Sequence, residues 1–151
     1  MTPHSVLAAA LLAIAPAALA ASPAAPTGVT VTHAWIRWLP AGLPAAGYAT
    51  LSNSNAVPVT LSGASSTAYR SVTLMRSRLA EDDSSMVKVP DISVPAHGSV
   101  KLAPGGYHLM LAGATRPLRP GDSVPMRLNI AGGTLQVDFS VLPANSTGPA
   151  D

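Results

Sequence analysis

No cysteine occurs among the 151 residues, so within this sequence no disulfide can staple the fold and no thiolate can hold a metal or carry a lipid. Aromatic residues are scarce at 4%, which leaves the core to aliphatic side chains. Charged residues reach only 11%, and the net charge is +2. A balance that weak and scattered argues against nucleic acid as a partner. No window carries a sustained 3.6-residue period, so a helical fold is not expected. Paired carboxylates, a nucleophile beside a base and a phosphate-binding glycine loop are all missing, which argues against an enzyme.

Long apolar runs are also lacking, with one exception near the start. Val6 to Ala20 reads VLAAALLAIAPAALA and ends in small residues. That is shorter than the roughly 20 apolar residues a membrane helix needs, and it fits the apolar stretch and small-residue cleavage site of an export signal. Residues 1–21 are therefore expected to be a signal peptide for export to the periplasm, leaving no stable membrane span. Residues 22–28 read as a linker, 29–142 as one domain and 143–151 (PANSTGPAD) as a disordered tail. The remainder has the size of one ordinary domain, expected to be monomeric.

What is present is punctuation and alternation. Fifteen Pro and twelve Gly mark frequent turns. Between them lie alternating segments rich in Val, Thr and Leu at 29–37, 46–52, 57–62, 70–76, 86–89, 99–102, 107–112, 124–130 and 134–141. Short strands at near-regular spacing predict an all-β, antiparallel Greek-key sandwich or barrel.

Alternation also sorts side chains between two faces. Val72 and Leu74 share one face, so Met75 points the other way. Val87 and Val89 point inward, which leaves Met86 outside with Lys88. Tyr107, Leu109 and Leu111 form a core stripe, which puts His108 and Met110 outside together. Met126 falls in phase with Val124, Leu128 and Ile130 and is expected in the core. His33 falls in phase with Val29, Val31 and Trp35. Three outward methionines are unusual, because methionine ordinarily fills cores. Thioether sulfur is a soft donor that selects Cu(I), and imidazole suits copper too. Thioethers have no proton to shed, so such a site works in acid, with His108 alone titrating. Periodicity alone leaves a second reading open: Met75 capping an exposed edge, and Met86 sheltering under the acidic loop Glu81-Asp82-Asp83.

Met75, ten residues, Met86, twenty-one residues and then His108-Leu109-Met110 match the spacing of the periplasmic copper chaperones called PCu(A)C. The block from Pro104 to Leu111 (PGGYHLML) is similar to that family's most distinctive segment. Arg116-Pro117-Leu118, Gly121-Asp122, Val124-Pro125, Ala34-Trp35-Ile36-Arg37 and Ala46-Gly47-Tyr48 resemble it as well, so the likeness covers residues 29–141. The resemblance implies a cupredoxin-like β-sandwich holding one Cu(I) with Met75, Met86, His108 and Met110. It also implies delivery towards the binuclear copper centre of cytochrome c oxidase, alongside a Sco-type partner. The first ligand position is usually His in that family and is Met75 here. Three sulfurs and one nitrogen favour Cu(I) over Cu(II). A copper buffer that sequesters without delivering, and a metal-free interaction module, are the rival functions.

Overall fold

Branched and apolar residues alternating with small polar ones set up ten strands among the described residues of the computed structural model, which are residues 26, 28–40, 42–80 and 83–150. In chain order they are β1 (Val29–Arg37), β2 (Ala45–Asn53), β3 (Val59–Ser65), β4 (Tyr69–Ala80) and β5 (Asp83–Lys88). They continue with β6 (Ile92–Val94), β7 (Gly98–Leu102), β8 (Tyr107–Ala114), β9 (Ser123–Ile130) and β10 (Gly133–Leu142). No helix occurs among the described residues, and none there is long and apolar enough to cross a membrane. The expected signal peptide and residues Glu81 and Asp82 of the acidic loop lie outside the described residues.

The strands hydrogen-bond in the order β5-β4-β8-β2-β1-β10-β9-β3-β6, with β7 also pairing β2. β2 uses its first half for β8 (Ala45↔Leu111) and its second half for β7 (Asn53↔Gly98). The sheet doubles back so that β3 packs on β4, and β6 on β7 and β2. β1 is shared by the two layers: it pairs β2 antiparallel along its length and β10 in parallel at Trp35–Arg37. That is the one parallel pairing among the described strands; every other pairing is antiparallel, and the all-β, antiparallel expectation is met.

The core lies between the layers. On β9 burial alternates strictly, and Val124, Met126, Leu128 and Ile130 all point inward. Phe139, Val141, Ile36, Leu51, Leu61, Leu74, Leu109 and Leu111 fill the space they leave. Each such side chain gains about 1.5–3 kcal/mol from leaving water, which is what an unstapled chain must rely on. Met126 is fully buried, as its phase predicts.

The turn between β7 and β8 is set by its sequence. Pro104 supplies the fixed φ of a second turn position, and Gly105 follows at φ 84°, where an L side chain would be strained. Gly106 N donates to Ala103 O at 3.0 Å and closes the turn. The chain then enters β8 at Tyr107, one residue before His108.

After β10 the chain is described as far as Ala150 and turns back along β1. There the Arg37 guanidinium donates to Ser146 O at 3.2 Å, within the segment expected to be disordered.

Candidate metal centre

The register of three neighbouring strands decides where the four sequence-predicted residues fall. Met75 on β4 lies directly opposite His108 on β8, and Thr73 opposite Met110. On the other side of β4, Met75 faces Lys88 and Ser77 faces Met86. Cross-strand partners share a face of a sheet, so Met75, Met86, His108 and Met110 all occupy the face away from the core. Directly opposed residues have Cβ atoms about 4.5–5.5 Å apart, and diagonal neighbours about 7–8 Å. Met75 is the centre: His108 lies opposite it, and Met110 and Met86 are its two diagonal neighbours.

The four differ in exposure. Met86 is 60% exposed, Met75 and Met110 are half-buried, and His108 is only 5% exposed. The sequence reading put His108 outside, and this is a correction: its face is as expected, but the face is covered there. Tyr48, itself 5% exposed, lies 6.4 Å from the imidazole centroid with the rings tilted by 51°. Trp35 packs on Tyr48 with centroids 4.7 Å apart. The Arg37 guanidinium sits over both, 5.6 Å from the Trp35 ring and 5.5 Å from the Tyr48 ring. A cation placed so gains from the rings' negative faces. Burial pushes the Tyr48 hydroxyl above its ordinary range, with the nearby Arg37 charge acting weakly the other way.

Trp35 reaches this face because of a local irregularity. The β1–β2 register shifts between Thr32 and Trp35, and His33 adopts φ 51°. One extra residue flips every later side chain to the opposite face. Val29 and Val31 stay in phase with the core, while Trp35 joins Tyr48 outside and Ile36 turns inward. Strict alternation had placed Trp35 with Val29 and Val31; the bulge overturns that, and it leaves the His33 side chain exposed. Tyr48, Trp35 and Arg37 are the site neighbours that strand alternation did not single out, although both short motifs that contain them resemble the family.

The imidazole is oriented from behind. His108 Nδ1 lies 3.3 Å from Gly106 O. A carbonyl oxygen can only accept, so this contact places the proton on Nδ1 and leaves the Nε2 lone pair free. Gly106 O also accepts from Ser77 N at 3.0 Å, which ties the turn to β4 beside Met75.

Among the described residues, no three of His, Cys, Asp or Glu come together. The harder donor sets that suit zinc or calcium are therefore not assembled there. Beside the buried His108 the register instead places two thioether-bearing residues, Met75 opposite it and Met110 two residues along its own strand. A cleft of about 470 Å³ lies on a neighbouring part of the molecule, lined by residues that include Trp35, Lys101, Pro104 and Pro149, and none of the four lines it.

Residues 29–141 match the family described as "Putative lipoprotein LpqE-like". The chain is 30% identical over 108 residues to the protein described as "Putative lipoprotein Lxx21020" from Leifsonia xyli subsp. xyli (strain CTCB07). That match takes in 71% of this chain and spans 64% of the relative's length. Among solved structures, the copper-bound PCuAC domain from PmoF2 superposes with a TM-score of 0.66 at 26% identity, covering 80% of this chain and 97% of that domain. The solution structure of CuI-DR1885 from Deinococcus radiodurans gives a TM-score of 0.59 at 33% identity, covering 72% of this chain and 74% of that one.

Proposed function

Because the chain belongs to the LpqE-like family and is of the PCuAC type, we propose that it is an exported, monomeric copper chaperone that carries one Cu(I) between Met75, Met86, His108 and Met110. The solved relatives named for bound copper support the metal, and the donor set supports its oxidation state. The observation that carries the reading is the direct pairing of Met75 with His108, with Met110 and Met86 diagonal to Met75 on the same face.

The four residues divide the work. His108 supplies a fixed nitrogen, held by Gly106 O and sheltered by Tyr48. Met75 and Met110 supply half-buried sulfurs that favour the soft monovalent ion over Cu(II). Met86, on the exposed side, supplies the sulfur most easily displaced. A buried, oriented nitrogen with an exposed, exchangeable sulfur suits a protein that must both hold and release its cargo. No group here is arranged to activate a substrate, which favours a carrier over an enzyme.

The cargo is delivered in the periplasm towards the binuclear copper centre of cytochrome c oxidase, with a Sco-type protein as acceptor or partner. Competition with the chromophoric Cu(I) chelator bicinchoninate measures binding and stoichiometry. X-ray absorption on the loaded protein counts neighbours, and three sulfurs with one nitrogen are expected. A nitrogen-dominated shell, or no uptake, would overturn the site. A deletion strain with normal oxidase activity would overturn the destination while leaving the site intact.

A further inference from the structure

β5 ends the sheet on one side and β6 on the other, and the two edges are built differently. β6 is three residues long, with Pro90 before it and Pro95 directly after. Short strands flanked by proline are a common way to prevent unwanted pairing at an edge. β5 is six residues long and contains no proline. It also carries Met86, the most exposed of the four residues proposed to hold copper.

The hydrogen-bond phase fixes which way the Met86 backbone points. Val89 N donates to Leu74 O, so the pair Leu74↔Val89 is hydrogen-bonded. Bonded and non-bonded pairs alternate along an antiparallel ladder. Arg76↔Val87 is then bonded, while Met75↔Lys88 and Ser77↔Met86 are not. Ser77 N instead donates to Gly106 O on the opposite side of β4, which agrees with this phase. The N–H and C=O groups of Met86 and Lys88 therefore point away from β4, out of the open edge.

Charge along β5 is mixed, since Asp83 opens the strand and Lys88 closes it, so an acidic partner side chain is called for only opposite Lys88. Lys88, Arg76 and Arg78 are exposed near Met86 on β4 and β5. Arg76 rests its guanidinium 5.4 Å from the Tyr107 ring. A lysine on an edge discourages indiscriminate pairing and still admits a strand of opposite charge.

We propose that β5 is the docking edge for cargo transfer, and that it accepts, as an added antiparallel strand, an extended segment carrying one cysteine and, two residues before it, an acidic side chain opposite Lys88. The inference rests on the copper reading of Met86. A residue placed opposite Met86 in such a strand has its Cβ about 5 Å from that of Met86 and on the same face. A cysteine at that place is brought to the site by the backbone itself. Transfer then needs no redox step. The thiol releases its proton to solvent, the thiolate sulfur bonds Cu(I), and the bond from Met86 Sδ breaks, with the thioether leaving neutral.

The test uses a synthetic peptide with a central cysteine, a valine on either side, a glutamate before the first valine and threonines at the remaining positions. Amide hydrogen exchange is followed first on the copper-free protein. At a peptide concentration ten times its Kd, exchange at Met86 and Lys88 is expected to slow by about tenfold, as occupancy of a single site dictates. A peptide with proline two residues after the cysteine, at a position whose N–H would otherwise bond the β5 backbone, cannot complete the ladder and is expected to give no protection. Lys88→Pro removes one outward N–H at an edge position where proline is tolerated and should abolish protection. Lys88→Gln removes only the charge and should weaken binding without abolishing it. Unchanged exchange at Met86 and Lys88, or protection by the proline peptide equal to that by its parent, overturns the proposal. So does protection that grows with protein concentration in the absence of peptide, because a second copy would then occupy the edge. Bicinchoninate competition on the wild type is read separately. Normal Cu(I) uptake without edge protection defeats the docking and spares the copper site. Edge protection without Cu(I) uptake defeats the copper site.

Discussion

Met75 and His108 face each other across β4 and β8 as a directly opposed pair. Ser77↔Gly106 is a bonded position two residues along the same ladder, so Met75↔His108 is bonded as well, with Cα atoms about 5.5 Å apart. A thioether and an imidazole are thus held by backbone geometry at a spacing one metal ion can bridge, whatever the loops do.

That opposition makes Met75→His an informative change. It sets a second imidazole opposite the first and converts a donor set of three sulfurs and one nitrogen into one of two and two. Cu(I) binding is expected to persist, and Cu(II) affinity to rise by at least about tenfold, since nitrogen donors suit the divalent ion. Chelator competition for both oxidation states measures it. Unchanged Cu(II) affinity would remove Met75 from the site.

The methionines on the two faces should answer differently to truncation. Met126→Ala opens a cavity in the core and is expected to cost about 2–5 kcal/mol in chemical denaturation. It should leave Cu(I) affinity unchanged. Met86→Ala is expected to alter stability by less than about 0.5 kcal/mol, because the side chain is mostly in water. It should weaken Cu(I) binding and slow release to a thiol. Equal effects of both variants on copper would refute the division by face.

The phase argument that separates these methionines works because a strand repeats every two residues, and nothing on β4, β8 or β9 interrupts that repeat before the site is reached. It fails on β1, where one additional residue near His33 carries no mark in the sequence and still reverses Trp35 and Ile36. β6 escaped because a three-residue strand in a stretch flanked by prolines is too short to show alternation. The burial of His108 was not legible either. A strand's own pattern says which face a residue takes, but what covers that face comes from β1 and β2, far away in the chain. The parallel pairing of β1 with β10 likewise depends on how the sheet doubles back.

The cover over His108 can be tested on its own. Tyr48→Ala removes the ring between Trp35 and the imidazole and is expected to cost about 3 kcal/mol of stability, the usual scale for deleting a buried aromatic ring. Cu(I) affinity should fall by about 10–100-fold, as it does when groups that orient a ligand are lost. Tyr48→Phe keeps the ring and should keep both properties near wild type. If Tyr48→Ala unfolds the chain, Tyr48→Leu retains much of the volume, and the His108 ring resonances report whether the imidazole has become mobile. A rigid His108 with unchanged affinity in that variant would show that Tyr48 only packs.

Tyr69 gives the chain an alkaline limit. It is buried at the start of β4, and loss of hydration pushes its hydroxyl above the ordinary value, while the Arg116 charge nearby pulls weakly down. The folded state therefore holds the phenol neutral at a pH where the unfolded chain already ionises it. The stability this confers is complete below about pH 10, the value for an unburied tyrosine. It is lost as pH climbs towards the folded value, because the unfolded state then gains by releasing a proton that the folded state retains. Tyr69→Phe has no such proton, so its stability should decline less steeply above pH 10 than the wild type's. Urea midpoints measured at pH 8, 10 and 11 decide it, and parallel decline in the two proteins would mean that Tyr69 ionises freely in the fold.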